Sequence, residues 1–221
     1  MLIDEFKQFT NNPNMKRMNL GETVMVSSKE WKDLGCNTFL EYYKENKNHI
    51  FEVMEYQDSG KRGMLQNKLL RVLKQYRIKD VLDFGAGVGA DSLLLYKNGI
   101  SVKYFEPNKL MRDFFRYRCQ NRGIKIPILD SLEESGCIMF IYVIEHLEDP
   151  YKTLLELCNY SRYLLFTQSF GAHDTKHGGQ PYHTDYKMRD IHQFLEAIGY
   201  IKIKLDGIVI PPYLYERRIK R

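Results

Sequence analysis

VLDFGAGVGADSLLL, residues 81–95, holds a short apolar run, three alternate glycines and a helical stretch within fifteen positions. Val81, Leu82, Asp83 and Phe84 read as a buried strand, and Gly85, Ala86, Gly87, Val88 and Gly89 as a tight turn. Ala90 to Asn98 then carries helical periodicity and is closed by Gly99, where a left-handed residue is wanted. Val102 to Glu106 is the next strand, and Pro107 suits the first turn of a helix that ends near Arg122 and Gly123. A strand, a glycine turn, a helix and a strand ending in an acid form half of a nucleotide-binding unit.

The same alternation continues outward. Ile126 to Leu129 and Cys137 to Val143 read as buried strands, and Asp149-Pro150 as the cap and first residue of a helix with Leu154, Leu155 and Leu157 on its apolar side. Tyr163 to Gln168 is a strand, about Tyr186 to Ile198 a helix, and Tyr200–Leu205, Asp206-Gly207 and Ile208–Ile210 a closing hairpin. Upstream, Lys44 to Glu55 is rich in helix formers and is broken at Asp58, Ser59 and Gly60. About Leu65 to Tyr76 places Leu65, Leu69, Val72 and Leu73 on one stripe. The expected fold is α/β: a Rossmann-like doubly wound sheet, mostly parallel with an antiparallel last strand and helices on both faces.

The 221 residues suffice for one domain, with 43% hydrophobic and 28% charged side chains and a net charge of +5. The longest wholly apolar run, Cys137 to Ile144, is eight residues against the roughly 20 of a membrane span. Asp4, Glu5 and Lys7 interrupt what a signal peptide would need as its apolar stretch, so a cytoplasmic location is expected. Cys36, Cys119, Cys137 and Cys158 show no metal or redox spacing and read as reduced core residues. Charge is polarised: residues 103–125 carry seven basic and two acidic side chains, residues 126–160 one and seven. Lys109, Arg112 and Arg116 share a face opposite Leu110, Phe114 and Tyr117, which suits a solvated helix face; a nucleic-acid surface is the less favoured reading.

In a doubly wound sheet the ligand lies at the carboxyl ends of the strands, where strand order reverses. Gly85 and Gly87 let a backbone approach a ligand there, and Glu106 is placed to accept hydrogen bonds from two ribose hydroxyls. Gly85, Gly87 and Ala90 also fit the dinucleotide fingerprint. Asp83 separates the two ligand classes, because a carboxylate beside the turn repels a pyrophosphate and attracts a sulfonium or ammonium.

These residues resemble the class I S-adenosylmethionine-dependent methyltransferases, of the small-molecule subgroup, over roughly Leu65 to Ile210. VLDFGAGVGADSLLL is similar to their first motif, VKYFEPNKLM to their second strand, IYVIEHLEDPYKTLLEL to the segment after the fourth strand, and HQFLEAIGYIKIKL to the last helix and sixth strand. The resemblance implies S-adenosylmethionine as cofactor and S-adenosylhomocysteine as product. It places Asp83, Gly85, Ala86 and Gly87 along the methionine and ribose, Glu106 and Pro107 at the ribose, Asp130 with Ser131 near the adenine, and Tyr142 beside the sulfonium. Residues 63–221 are then the methyltransferase domain and 1–62 a helical and irregular lid segment.

Methyl transfer to oxygen of a small-molecule acceptor is the expected reaction, and an alcohol or phenol needs a base. His146, with Glu145, is the best-placed candidate; the alternative is a histidine hydrogen-bonded to a carbonyl or to Glu145. His173, His177 and His183 fall within eleven residues of the loop Ser169–Asp185 and suit a substrate-binding lid, with a divalent metal site or an ordinary polar loop as the other readings. Glu145-His146 also resembles the acid–histidine pair of metal-assisted RNA 2′-O-methyltransferases, with Tyr142 where those have a glutamate. An RNA or nucleotide acceptor, a nicotinamide-dependent oxidoreductase and a non-catalytic nucleoside-binding module are the competing functions.

Overall fold

The computed structural model describes residues 1–16, 18, 20–36, 39–58, 60–168, 187–208 and 212–218. Its centre is a seven-stranded sheet: β1 (Asp80–Phe84), β2 (Ser101–Phe105), β3 (Ile128–Leu129), β4 (Ser135–Ile141), β5 (Ser161–Thr167), β6 (Tyr200–Ile203) and β7 (Tyr213–Arg217). The order is β3-β2-β1-β4-β5-β7-β6. β1 to β5 pair in parallel, and β7 runs antiparallel to both β5 and β6. Successive strands step outward from β1 to β3 and then in the other direction from β4, so the reversal of order lies between β1 and β4. That junction is where a doubly wound sheet opens a crevice.

Nine helices pack around the sheet among the described residues: α1 (Leu2–Phe9), α2 (Leu20–Leu34), α3 (Phe39–Glu45), α4 (His49–Gln57), α5 (Gly60–Gln75), α6 (Ala90–Lys97), α7 (Lys109–Asn121), α8 (Pro150–Leu157) and α9 (Met188–Ala197). One face of the sheet buries Leu69, Val72 and Leu73 of α5 with Leu93 and Leu95 of α6 and Phe115 and Cys119 of α7. The other buries Leu154 and Leu157 of α8 with Ile191 and Leu195 of α9. The middle strands are apolar on both sides, as parallel strands covered by helices must be. A third cluster joins Leu2, Ile3 and Phe6 of α1, Ile50 and Met54 of α4, and Val88, Met111 and Phe114. No helix among the described residues is long and apolar enough to cross a membrane.

The expected α/β fold is present, with specific differences. The closing hairpin is not a two-residue one: Asp206 and Gly207 do turn, but the next strand starts at Tyr213 and inserts between β5 and β6. Pro211 and Pro212 have no N–H to give to a ladder, which delays pairing until they are passed. Ile208 is buried in the turn with its N–H on Leu205 O, and residues 209 and 210 of the expected strand lie outside the described residues. The run Lys44–Glu55 is split between α3 and α4, because Asn46 Oδ1 accepts from His49 N–H and starts a new helix. The fourth strand ends at Ile141 rather than Val143, since Tyr142 takes φ 59°. Pro107 precedes α7 rather than entering its first turn, and Asn108 is the cap, accepting from Met111 N–H at 3.0 Å. The Asp149 cap and Pro150 start of α8 are as expected. The buried side of α7 carries Met111, Phe114, Phe115, Arg118 and Cys119, whereas Leu110 and Tyr117 are only half-buried.

Candidate functional site

β1 delivers Asp83 and the glycine turn to the crevice, and β2 delivers Glu106. Gly85 and Ala86 donate their N–H groups to Phe105 O, and Tyr104 Oη–H donates to Gly87 O at 2.6 Å, so the turn is bound to the end of β2. Gly85 has φ 68°, and a Cβ there would stand 2.7 Å from Val143 Cγ2. A Cβ on Gly89, at φ 72°, would fall 2.1 Å from the Phe115 ring. Both positions exclude side chains, because Val143 and Phe115 already fill the space a Cβ would take.

Glu106 is 0% exposed. Its Oε2 accepts from Gly87 N–H at 2.8 Å and from Tyr43 Oη–H at 3.2 Å, and its Oε1 accepts from Asn108 N–H at 2.8 Å. Burial pushes its carboxyl up to about 7, against the pull of those donors. Asp83 is likewise buried and pushed up to about 6; Ser92 Oγ–H donates to it at 2.6 Å and the Arg62 charge draws it down. Arg62, on α5, is buried against Asp91, which also accepts from Gln66 Nε2 at 2.8 Å. Its guanidinium lies 5.6 Å from the Tyr56 ring and 5.9 Å from the Tyr142 ring, and those two rings meet edge to face at 5.2 Å. A buried cation and a buried carboxylate thus stand together at the mouth of the glycine turn.

Glu145 and His146 follow β4 in a short 3₁₀ turn, Ile144–His146. Glu145 is buried, and the His146 ring stands edge to face with His49 of α4 at 6.3 Å. His49 Nδ1 is 3.2 Å from Glu52 Oε2, and the His49 ring meets Tyr43 at 5.4 Å. The structure therefore gathers Asp83, Gly85, Ala86, Gly87, Glu106, Tyr142, Glu145 and His146 around one crevice and roofs it with α3 and α4; a Cβ on Gly87 would lie 3.1 Å from Val53. Pro107 sits at its edge, half-buried. Asp130 and Ser131, after β3, are exposed; Asp130 is 95% exposed and 3.9 Å from Arg112. His173, His177 and His183 lie outside the described residues, and among those described no group of three or more metal-ligating side chains could hold an ion.

Tyr43, His49, Tyr56 and Arg62 were not among the residues singled out from sequence. All four come from helices upstream of β1, in segments with no motif of their own.

A family model described as a methyltransferase domain matches residues 50–202. The chain belongs to that family. The methyltransferase resembles, among solved structures, magnesium protoporphyrin IX methyltransferase from Synechocystis PCC 6803 with bound S-adenosylmethionine, at 13% identity over 92% of this chain and 100% of that one, with a TM-score of 0.60. An S-adenosylmethionine-dependent methyltransferase from Clostridium acetobutylicum ATCC 824 matches at 11% identity over 76% and 96%, TM-score 0.61. The mitomycin 7-O-methyltransferase MmcR matches at 12% over 98% and 72%, also at 0.61. No curated protein matches by sequence. At such identities these structures share the fold, and the family match carries the chemistry: methyl transfer from S-adenosylmethionine.

The site fits that cofactor. Gly85 and Gly87 present no side chain of their own at the turn, which suits close approach of the amino-acid and ribose portions, and the buried carboxylate suits a diol. Arg62 and Asp83 offer opposite charges for a zwitterionic head.

Proposed function

We propose that the methyltransferase transfers the methyl group to oxygen on a small-molecule acceptor admitted beneath α3 and α4. The observation that carries this reading is the pair His49 and His146, which meet over the crevice with Glu52 and Glu145 beside them. Glu106 holds the ribose and Asp83 the ammonium, while Arg62 faces the carboxylate of the methionine part. Gly85, Ala86, Gly87 and Pro107 line the cofactor, Asp130 and Ser131 bound its adenine end, and Tyr142 stands beside the sulfonium. When bound, S-adenosylmethionine supplies a methyl group on a positively charged sulfur. The protein's own share is alignment, exclusion of water and removal of one proton. His146 takes the proton from the acceptor hydroxyl, and Glu145 steadies the turn that carries it.

Small size of the acceptor is supported by how the basic side chains of α7 are used. Lys109 and Arg116 both pair with Asp113, Arg112 faces Asp130, and Arg118 and Arg122 pair with Glu5. Five cations share three carboxylates here, so part of the positive charge that phosphates would need is already engaged within the protein. Two of the structural neighbours, magnesium protoporphyrin IX methyltransferase and mitomycin 7-O-methyltransferase, are named for small acceptors. Residues 1–62 act as the lid of domain 63–221, and His173, His177 and His183 bind substrate. Family membership sets the nicotinamide reading aside.

The test is a methyl-transfer assay with a panel of phenols, alcohols, carboxylic acids and short RNAs, the products identified by mass. A phenol or alcohol should gain one methyl, and His146→Ala should lower kcat about a hundredfold while leaving S-adenosylhomocysteine affinity unchanged. Methylation of RNA alone, or full turnover by the variant, overturns the corresponding half of the proposal.

A further inference from the structure

An ionised carboxylate offers about four lone-pair positions. At Glu106 three are taken, by Gly87 N–H, Asn108 N–H and Tyr43 Oη–H. A ribose diol needs two, so one of the three donors must leave. Gly87 and Asn108 donate from the main chain, and both are fixed in the body: Gly87 by the Tyr104 hydroxyl on its carbonyl, Asn108 by capping α7. Tyr43 alone donates from a side chain, and it stands on α3, outside the sheet and the helices that cover it. It is the donor that can be exchanged.

A second contact holds the same piece of chain. Asn108 Oδ1 caps α7, while its Nδ2 donates to Tyr43 O at 2.6 Å, in the last turn of α3, where Asn46 Nδ2 also donates at 2.9 Å, and to Asn46 O at 3.1 Å, just past that helix. One buried asparagine therefore joins the start of α7, next to the ribose carboxylate, to the α3–α4 turn. We infer that Tyr43 and Asn108 form a latch that shuts the α3–α4 turn over Glu106, and that the cofactor enters by taking the place of the Tyr43 hydroxyl. This rests on the reading of Glu106 as the ribose residue. The consequence is an order of events: the roof over the acceptor space must release before the ribose seats, so cofactor entry and acceptor access are coupled through one side chain.

The chain carries its own reporter. Its single tryptophan, Trp31 of α2, packs on Tyr42 at 5.2 Å, and Tyr42 is fully buried beside Tyr43. Stopped-flow mixing of the full chain with S-adenosylhomocysteine, followed by Trp31 fluorescence, should give a rate that levels off with ligand concentration at the rate of latch opening. Tyr43→Phe keeps the ring and removes the donor. Asn108→Ser keeps a capping oxygen for α7 and removes the amide. Each should raise the limiting rate about tenfold, from loss of one hydrogen bond to a carboxylate in Tyr43→Phe and of two to main-chain carbonyls in Asn108→Ser, with calorimetric affinity equal to or tighter than that of the parent.

Four results overturn the latch: a rate that rises linearly with ligand and is the same in parent and Tyr43→Phe; an unchanged limiting rate in both variants; weakened affinity in Tyr43→Phe, which would make the tyrosine a ligand contact; or calorimetric binding with a silent Trp31. Glu106→Gln separates the latch from its premise. If this variant binds as tightly as the parent, or the parent binds nothing, the ribose assignment itself has failed. Matching thermal melts of the parent and Tyr43→Phe confirm that the variant is folded.

Discussion

The body of the methyltransferase and the helices upstream of α5 are built on different terms. In the body, β1, β4 and β5 are sealed on both faces by leucine, isoleucine and phenylalanine side chains, with Phe140 and Phe166 stacked at 4.7 Å across neighbouring strands. The upstream helices meet the body through an apolar cluster around Phe6 and Phe114 and then through polar contacts: Tyr43 on Glu106, Asn108 on the carbonyls of Tyr43 and Asn46, and Glu5 on Arg118. Burial of apolar area is indifferent to direction, whereas a hydrogen bond to a buried acceptor can be exchanged for another of the same kind. The first arrangement suits a scaffold and the second a part that must come and go.

Arg62 stands where the two regions join, and changing it should have the largest effect. Arg62→Met fills the same space and leaves Asp91 buried with Gln66 alone, at a cost of about 4 kcal/mol. Chemical denaturation checks this, and calorimetry should show weakened S-adenosylhomocysteine binding as well. A stability loss under 1 kcal/mol would mean that Asp91 gains no more from the guanidinium than from water.

Phe6→Ala asks whether the upstream helices unfold with the body. Phe6 is buried against Phe51 and Phe114, whose rings lie at 5.7 and 5.0 Å, so truncation should cost about 3 kcal/mol. If the helices come away on their own, the global melt will barely move, and hydrogen exchange in α1 and α4 alone will rise.

The body was legible because its chemistry is periodic. Val81–Phe84, Gly99 after α6 and Asp149-Pro150 before α8 each combine a local pattern with a local cause, and Glu106 could be placed from its position at the end of a strand. The partners of the site were not. Nothing around Tyr43 or Arg62 distinguishes them from solvated side chains on amphipathic helices, because what matters is a contact 63 residues away in one case and 29 in the other. Tyr142 reads as the continuation of a strand, yet it leaves the ladder at φ 59°, and its ring packs against Tyr56 and Arg62, both remote in sequence.

Titration distinguishes the polar seam from the apolar body. The Glu106 carboxyl is pushed from its ordinary 4.5 up to about 7 by burial, so the folded state holds that proton more tightly than the unfolded chain. Its contribution is fully present below 4.5 and is lost as pH rises through 7, and Asp83, raised from 3.8 to about 6, acts in the same direction over a lower window. Glu5 and Asp113, both held below their ordinary range by arginine and lysine partners, oppose this only in acid. Glu106 alone should therefore cost the parent roughly 2 kcal/mol between pH 5 and pH 7.5, and Glu106→Gln should flatten the upper part of that slope. Denaturation midpoints across the range decide it; an unchanged slope would mean that water reaches the carboxylate.

The smallest effect belongs to the body, remote from the crevice. Asp149 Oδ1 accepts from Lys152 N–H at 2.9 Å and caps α8, whose Leu154 and Leu157 are sealed against the sheet. Asp149→Ala should cost about 1 kcal/mol in chemical denaturation, the usual value of a lost helix cap. Because α8 covers the face of the sheet away from α5, α6 and α7, neither S-adenosylhomocysteine affinity nor the Trp31 relaxation rate should respond. If either did, α8 would be coupled to the opening of the upstream helices across the sheet, and the division between a scaffold that only holds and a roof that moves would have to be redrawn.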